Sequence, residues 1–435
     1  MRVTDKESVA EETPRRALSV LHNISWLGLA NVLVKPLWFV FITAACMRLL
    51  GVREFGVMTA ALSLGMIATA FVDLGMTQYT TREVSREPAK ASMFFSNFMM
   101  LRLANSLLAC VAALAAAYIL GYRGTAFAAV LFAGLYGLTL NLTNYCRGIF
   151  RAFEDLRQEA AMLVIEKVLV ISGGLVLLVA TQLASWTLAG MAGGMAIATV
   201  VNTWWIDRHF AKFRLQFLSG PFLKRSLKIM IPFGLAGLFT VVYYRVDMVI
   251  VEAFLGEAPT GQYGAAFRIL EALFMLPTLV ALAAVYPRLA RLHHSEEYAK
   301  FGRLLKKSFF GLVGLSILIT AAISMTAAPI IRLLDPDPAY GPAAGALRIL
   351  VWSFPFLCAN YLLYSALLSM DLQRFASIAL GLAVLVKVGL NLFMIPMHGI
   401  HGAAISTVIP EAILVGIYLV RYLYARPHPA IGSAT

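Results

Sequence analysis

The chain has 435 residues, of which 60% are hydrophobic and only 14% charged, with a formal net charge of +13. Soluble domains carry about 25% charged residues, so this composition excludes an ordinary soluble protein. Its apolar runs are too long and too continuous for the ten-residue alternating strands of an outer-membrane barrel.

Read in chain order, the apolar runs predict about twelve spans of about 20 residues or more. They fall near 23–47, 56–77, 94–120, 125–146, 159–181, 184–206, 230–254, 262–286, 308–333, 344–369, 374–396 and 401–422. The first run follows a charged segment and lacks a small-residue cleavage pattern, so it is expected to be a retained helix. The expected organisation is a cytoplasmic tail (1–22), a six-helix lobe (23–206), a cytoplasmic linker (207–229), a second six-helix lobe (230–425) and a C-terminal tail (426–435). The fold class is therefore an all-α polytopic membrane protein with two six-helix lobes and a central cavity.

Most basic residues outside the spans fall on the side of the N-terminus, and only Arg48, Arg53, Arg123 and Arg332 fall on the other. By the positive-inside rule both termini are expected to be cytoplasmic. The basic charge is then a topology signal with contact to membrane lipids, and no nucleic-acid partner is expected. Two cytoplasmic stretches are longer than the rest. The linker interleaves Phe210, Phe213, Phe217 and Phe222 with Lys and Arg, which suits an interfacial, lipid-skimming connector between two six-span halves. The stretch 287–307 carries apolar residues at helical spacing, which predicts an amphipathic surface helix. Cys46, Cys110, Cys146 and Cys358 all fall in or beside apolar runs and form no CxxC pair, which suits small packing residues. No P-loop pattern is present, no outer loop is long enough to build an enzymatic site, and no cofactor or metal is expected.

Seven cations lie inside the spans: Lys35, Arg102, Lys167, Arg245, Arg268, Arg348 and Lys387. A cation at the bilayer centre costs roughly 2.5–3.5 kcal/mol on insertion scales, so such residues face protein or a water-filled cavity. Lys35 precedes Pro36, where a kink is expected, and shares a face with Asn31. Arg245 and Asp247 point to opposite sides of span seven, beside Tyr243 and Tyr244. Arg268 and Glu271 are three apart and can pair. Lys387 and Asn391 are four apart on one face of span eleven. Arg102 and Lys167 lie nearer the cytoplasmic entrance, and Arg348 is expected to be a snorkelling anchor.

Against these seven cations stand four acids deep in the spans, Glu166, Asp247, Glu271 and Glu411, a surplus of three positive charges. A positive cavity in low dielectric suits a phosphate or diphosphate. Lys35, Arg245, Arg268 and Lys387 are accordingly the expected substrate cations. Arg102, Lys167, Asn31, Asn391, Tyr243 and Tyr244 are expected in secondary or entrance positions. Asp247, Glu271 and Glu411 are candidates for proton or ion coupling.

Several short motifs carry a family likeness. They are Leu50-Gly51 with Phe55-Gly56, Asp73-Leu74-Gly75, Arg147-Gly148 with Arg151-Ala152, Asp247 with Leu255-Gly256 and Gly261-Gln262-Tyr263-Gly264, and Gly399-Ile400-His401-Gly402. Leu255-Gly256 also echoes Leu50-Gly51 about half a chain earlier, as a duplicated unit would. With these motifs in order, the chain resembles the O-antigen and oligosaccharide flippases of the multidrug/oligosaccharidyl-lipid/polysaccharide exporter superfamily.

That resemblance implies two lobes in a V that rock between inward and outward states in a bacterial inner membrane. It implies a polyprenyl-diphosphate oligosaccharide as substrate, H+ or Na+ as candidate coupling ion, and glycan polymerase or glycosyltransferases as candidate partners. Cell-wall precursor flippases are similar in having an Arg and an acid in span eight, which Arg268 and Glu271 would match, and basic residues in span one. No particular sodium site is matched. The competing readings are a drug or cation antiporter of the same superfamily, which calls for an acidic or neutral cavity, and a membrane glycosyl ligase or polymerase, which calls for a large outer loop.

Overall fold

The computed structural model describes Trp26 and residues 28–425. The expected tails, 1–22 and 426–435, and the start of span one lie outside the described residues. Within the described residues every regular element is a helix.

Helix α1 (28–39) runs into a π-helical stretch, Val40–Ala45. Pro36 cannot donate the backbone hydrogen bond of a regular α-helix, and the wide turns begin four residues later. Then follow α2 (Cys46–Asp73), α3 (Met76–Arg86), α4 (Ala91–Ile119), α5 (Gly124–Ala152), α6 (Leu156–Thr181) and α7 (Ala184–His209). The second half comprises α8 (Gly220–Leu255), α9 (Glu257–Leu273), a second π-helical stretch (Thr278–Val285), α10 (Tyr286–His294), α11 (Tyr298–Met325), α12 (Ala327–Leu334), α13 (Gly341–Leu350), α14 (Ser353–Ser369) and α15 (Gln373–Ala425).

Among the described residues, eight helical stretches are long and apolar enough to cross a membrane, or nine when α13 and α14, bent by 44°, count as one. Two of them, Gly28–Arg86 and Gln373–Ala425, run to 59 and 53 residues, well beyond the roughly 20 that one crossing needs. Each breaks at a glycine, Gly51 (φ 70°) and Gly399 (φ 59°). The expected count of about twelve is therefore approximate. Large apolar side chains stand fully outward, among them Ile119 at 82% exposure and Leu385 at 69%. Soluble proteins do not present such continuous apolar faces; this is a multi-span membrane protein.

Internal contacts divide the chain into two units. Unit 1 comprises the residues up to Ile42 with Ala68–Gly234, and unit 2 comprises Thr43–Ile67 with the residues from Leu235 onward. In unit 1 an aromatic core forms where Phe94 and Phe98 of α4 meet Phe222 of α8, and where Phe95 stacks on Tyr145 of α5. Phe210 packs on Phe150 and Phe153, and Phe213 on Phe95. Phe210 and Phe222 thus pack into the core of unit 1, while Phe213 touches Phe95 and stays 37% exposed. The predicted surface helix over 287–307 is likewise replaced. The stretch is nearly all of α10, a turn at Ser295 and the first turns of α11, and Leu289, Phe301 and Leu305 are buried. Helical spacing there reflected two helices, each with its own inward face.

Glycine sets the tightest approach in unit 1. A β-carbon on Gly190 of α7 would stand 2.1 Å from the Gly173 carbonyl oxygen of α6, and one on Gly194 would stand 2.2 Å from Leu169 O. Backbone touches backbone, the small-residue packing that membrane helices favour. In unit 2, Gly51 and Gly256 share one conformation, φ 70°, ψ 173° and φ 82°, ψ −169°. Only glycine adopts it without strain, so the Leu-Gly echo in the sequence is also an echo in the backbone. Nearby, Arg48 donates from Nε and Nη2 to the carbonyls of Leu334 and Leu333, both at 2.7 Å, and caps the end of α12.

Gly190→Val should lower the thermal midpoint of the detergent-solubilised protein, since overpacking costs about 1–3 kcal/mol. Gly193→Val, on the same helix with open space at its β-carbon, should leave it unchanged.

Candidate functional site

Unit 2 contains a buried polar cluster built from three helices. Asp247 of α8, 1% exposed, receives Lys387 Nζ of α15 at 2.8 Å, and Lys387 is itself fully buried. The same carboxylate accepts from Asn391 Nδ2 at 2.6 Å, Thr407 Oγ1 at 3.0 Å and Tyr263 OH at 3.1 Å. Lys387 also donates to the Tyr243 carbonyl at 2.8 Å and lies 4.6 Å from the Tyr243 ring centre. Buried ions persist only with this degree of pairing and hydrogen bonding. Asp247 sits where the sequence pattern put it, with its partners on other helices. Within the unit the Lys387 charge is matched by Asp247, and Asn391 serves the same acid.

A second group in unit 2 is only partly buried. Arg245 Nη2 of α8 donates to Glu271 Oε1 at 2.6 Å, while Arg268 Nη1 of α9 donates to Oε2 at 2.6 Å. The side chains are 14%, 30% and 11% exposed for Arg245, Glu271 and Arg268. One carboxylate is shared by two guanidinium groups, so the triad carries net charge +1. Each guanidinium has five N–H donors in a rigid fork, most of them unused by Glu271. The triad can therefore bind an anion by charge-assisted forked hydrogen bonds. Beyond it the helix is irregular: Pro277 is followed by the π-helical stretch, a feature frequent near functional sites.

Unit 1 shows a parallel division of labour. Arg102, fully buried, pairs with Asp73, and it donates to Thr77 Oγ1 at 2.7 Å and to the Asn141 carbonyl at 2.8 Å. Asp73 also accepts from Thr77 N at 3.1 Å and so opens α3 after the left-handed pair Leu74 and Gly75. Glu166, fully buried, is shared by Arg147 and by Lys167 at 3.0 Å. Lys167 lies 4.7 Å from the Trp38 ring centre, and both cations keep partly exposed side chains, 16% and 17%. This is a second triad of two cations and one acid.

The remaining expected residues lie apart. Lys35 is exposed on α1, Asn31 half-buried one turn before it, and Arg348 exposed on α13. Glu411, 2% exposed, accepts from Asn360 Nδ2 at 2.6 Å, and Tyr243 and Tyr244 lie in the same neighbourhood. Sequence reasoning missed Asp73, Arg147, Tyr263, Thr407 and Asn360. Asp73, Arg147 and Tyr263 stood within the quoted motifs and were signals overlooked as site residues. Thr407 and Asn360 give no signal, because uncharged polar residues are ordinary in helices.

Asp247→Ala should destabilise the protein by about 3–5 kcal/mol, because it strands a fully buried ammonium. The double variant Asp247→Ala/Lys387→Met should recover most of that loss in the same melting assay.

Comparison with known proteins gives these arrangements a context. The pattern of the family described as "Polysaccharide biosynthesis protein" matches residues 20–293, and that of the MatE family matches residues 232–393. "Probable flippase AglR" of Haloferax volcanii is 28% identical over 204 residues, 44% of this chain and 41% of that protein. "Lipid II flippase MurJ" of Bacillus subtilis is 22% identical over 321 residues, 65% of this chain and 58% of that protein. The match thus spans less than two thirds of either relative's length. Among solved structures, an inward closed lipid II flippase MurJ aligns with TM-score 0.73 and 15% identity over 91% of this chain and 87% of that one. An inward-facing MATE family transporter of the MOP superfamily aligns with TM-score 0.70 and 15% identity over 92% and 93%. Identities this low speak for the fold. With the family pattern covering more than half of its length, the chain belongs to the family of polysaccharide biosynthesis proteins and has the fold of the MOP-superfamily transporters.

Proposed function

We propose that this protein is a flippase that carries a lipid-linked oligosaccharide, joined to its polyprenyl chain by a diphosphate, across a bacterial inner membrane. The observation that carries the reading is the Arg245–Glu271–Arg268 triad, a partly open surplus of positive charge within a membrane-spanning unit. In a low dielectric each contact between a guanidinium and a phosphate oxygen is several-fold stronger than in water. Arg245 and Arg268 bind the diphosphate, and Lys35, on α1 of unit 1, is exposed and outside every described ion pair. Arg147 and Lys167 play the corresponding part in unit 1 at the entrance. Arg102 and Lys387, fully buried on their own acids, hold their units together. The names of the flippase relatives support the class of cargo.

The substrate moves by alternating access between two six-helix lobes, from the cytoplasmic to the outer leaflet, with both termini cytoplasmic. If transport is driven by H+ or Na+, the acids available are Asp247, Glu271 and Glu411. Asp247 already has four donors, and Glu271 two guanidinium groups. Glu411, held by an amide rather than a cation, is therefore the acid best placed to change protonation. A drug or cation antiporter would line its path with acids in excess, and both triads carry the opposite sign.

Depleting the protein should cause polyprenyl-diphosphate oligosaccharide to accumulate in lipid extracts. Arg268→Ala should fail to relieve that accumulation at wild-type protein level, since Arg245 still satisfies Glu271. Unchanged lipid intermediates together with altered dye efflux would sink the assignment in favour of the antiporter.

A further inference from the structure

Unit 2 has a cavity of about 190 Å3 between α8, α14 and α15 that the diphosphate reading leaves unused. Five tyrosines line it: Tyr243, Tyr244, Tyr361, Tyr364 and Tyr418. The polar end is formed by Glu411 and Asn360, 2% and 5% exposed. Asn360 gives its Nδ2 to Glu411, while its Oδ1 is buried with no hydrogen-bond partner. An acceptor buried without a donor is unfavourable, and Asn360 belongs to the cavity wall. Ser377, half-buried, is part of the same lining.

The lining states what a ligand must offer. It must donate to Asn360 Oδ1 and to the Glu411 carboxylate, accept from the Tyr243 hydroxyl, which is buried without a partner, and present an apolar face to tyrosine rings. A quaternary organic cation would use the rings and the carboxylate but, having no N–H or acceptor, would leave Asn360 Oδ1 and the Tyr243 hydroxyl unmatched. An acyl or prenyl chain would leave Asn360 unmatched. A pyranose ring meets every requirement, with hydroxyls that donate and accept around its edge and C–H bonds on its faces. The volume is also right for a single ring, since a cavity of about 150 Å3 holds one benzene.

We propose that this cavity is a sugar-selecting subsite that takes one uncharged pyranose residue of the glycan; the proposal rests on the transport reading above. The chain itself joins the two functions. Tyr243 and Tyr244 of the cavity wall directly precede Arg245 of the triad on α8, and the Tyr244 ring lies 5.0 Å from Phe274, three residues past Glu271. One helix thus presents the sugar wall and the diphosphate cation in successive residues.

The test uses the full chain in nanodiscs, with glucose, galactose, mannose and N-acetylglucosamine as separate probes of binding and of the melting midpoint. At least one sugar should bind wild type and raise its midpoint, and that affinity should fall at least about tenfold, or 1.4 kcal/mol, in Ser377→Trp, which puts a large side chain into the lining. If Ser377→Trp does not fold, Tyr361→Ala, which removes a stacking plane, carries the same expectation. Failure of all four sugars to bind, or equal binding by the filled variant, overturns the proposal. Binding of tetramethylammonium with the sugars inert overturns it in favour of an organic-cation site. Geranylgeranyl diphosphate, which has no sugar, separates the two readings: it should bind wild type and Ser377→Trp alike and be lost in Arg268→Ala. If it does not bind while a sugar does, the diphosphate assignment falls and the sugar subsite stands.

Discussion

Pairing of charge within the helical bundle is the constraint from which the rest of this structure follows. An ammonium or guanidinium group removed from water loses more than a single neutral partner can return, so each buried cation here is matched by a carboxylate from another helix or another turn. Lys387 and Asp247 join α15 to α8, and Arg102 and Asp73 join α4 to the end of α2. These pairs fix which faces of the helices look inward. Where two cations share one acid, as at Glu166 and Glu271, pairing is incomplete and a residual positive charge remains near the surface of the unit. Structural and functional cations are thus distinguished by the ratio of acids to bases around them, and not by depth in the sequence pattern.

That distinction explains how much could be read from the sequence. Helical class and the approximate number of spans were legible because hydropathy is a property of each segment alone. The breaks at Gly51 and Gly256 were visible as a repeated Leu-Gly pair, and their common backbone conformation gives the repeat a physical cause. Arg268 and Glu271 were legible as a pair because both lie on one helix, three residues apart. Arg245 as the second partner of Glu271 was not, since it reaches across from α8. For the same reason Lys387 looked like a free cation on a shared face with Asn391, although both side chains meet Asp247 on another helix. Periodicity along one helix carries no information on what stands opposite.

The misread segments have a similar origin. The residues around 287–307 have the spacing of one amphipathic helix, but a turn at Ser295 divides them between α10 and α11. The linker phenylalanines alternate with cations, as a headgroup-level segment would, yet Phe210 and Phe222 close the aromatic core of unit 1 around Phe94 and Phe150. In both cases the apolar residues were correctly identified, and what they pack against was decided by tertiary contacts.

The glycine contact between α6 and α7 has a mechanical consequence. Side chains at a helix interface can change rotamer and let helices slide; two backbones in van der Waals contact have no such freedom. With Gly173 against Gly190 and Gly194 against Leu169, α6 and α7 form a plate that resists shear, and a load on one is transmitted to the other without delay. Bending is then left to irregular places elsewhere among the described helices, such as the wide turns Val40–Ala45 and Thr278–Val285 and the glycine breaks at Gly51 and Gly399.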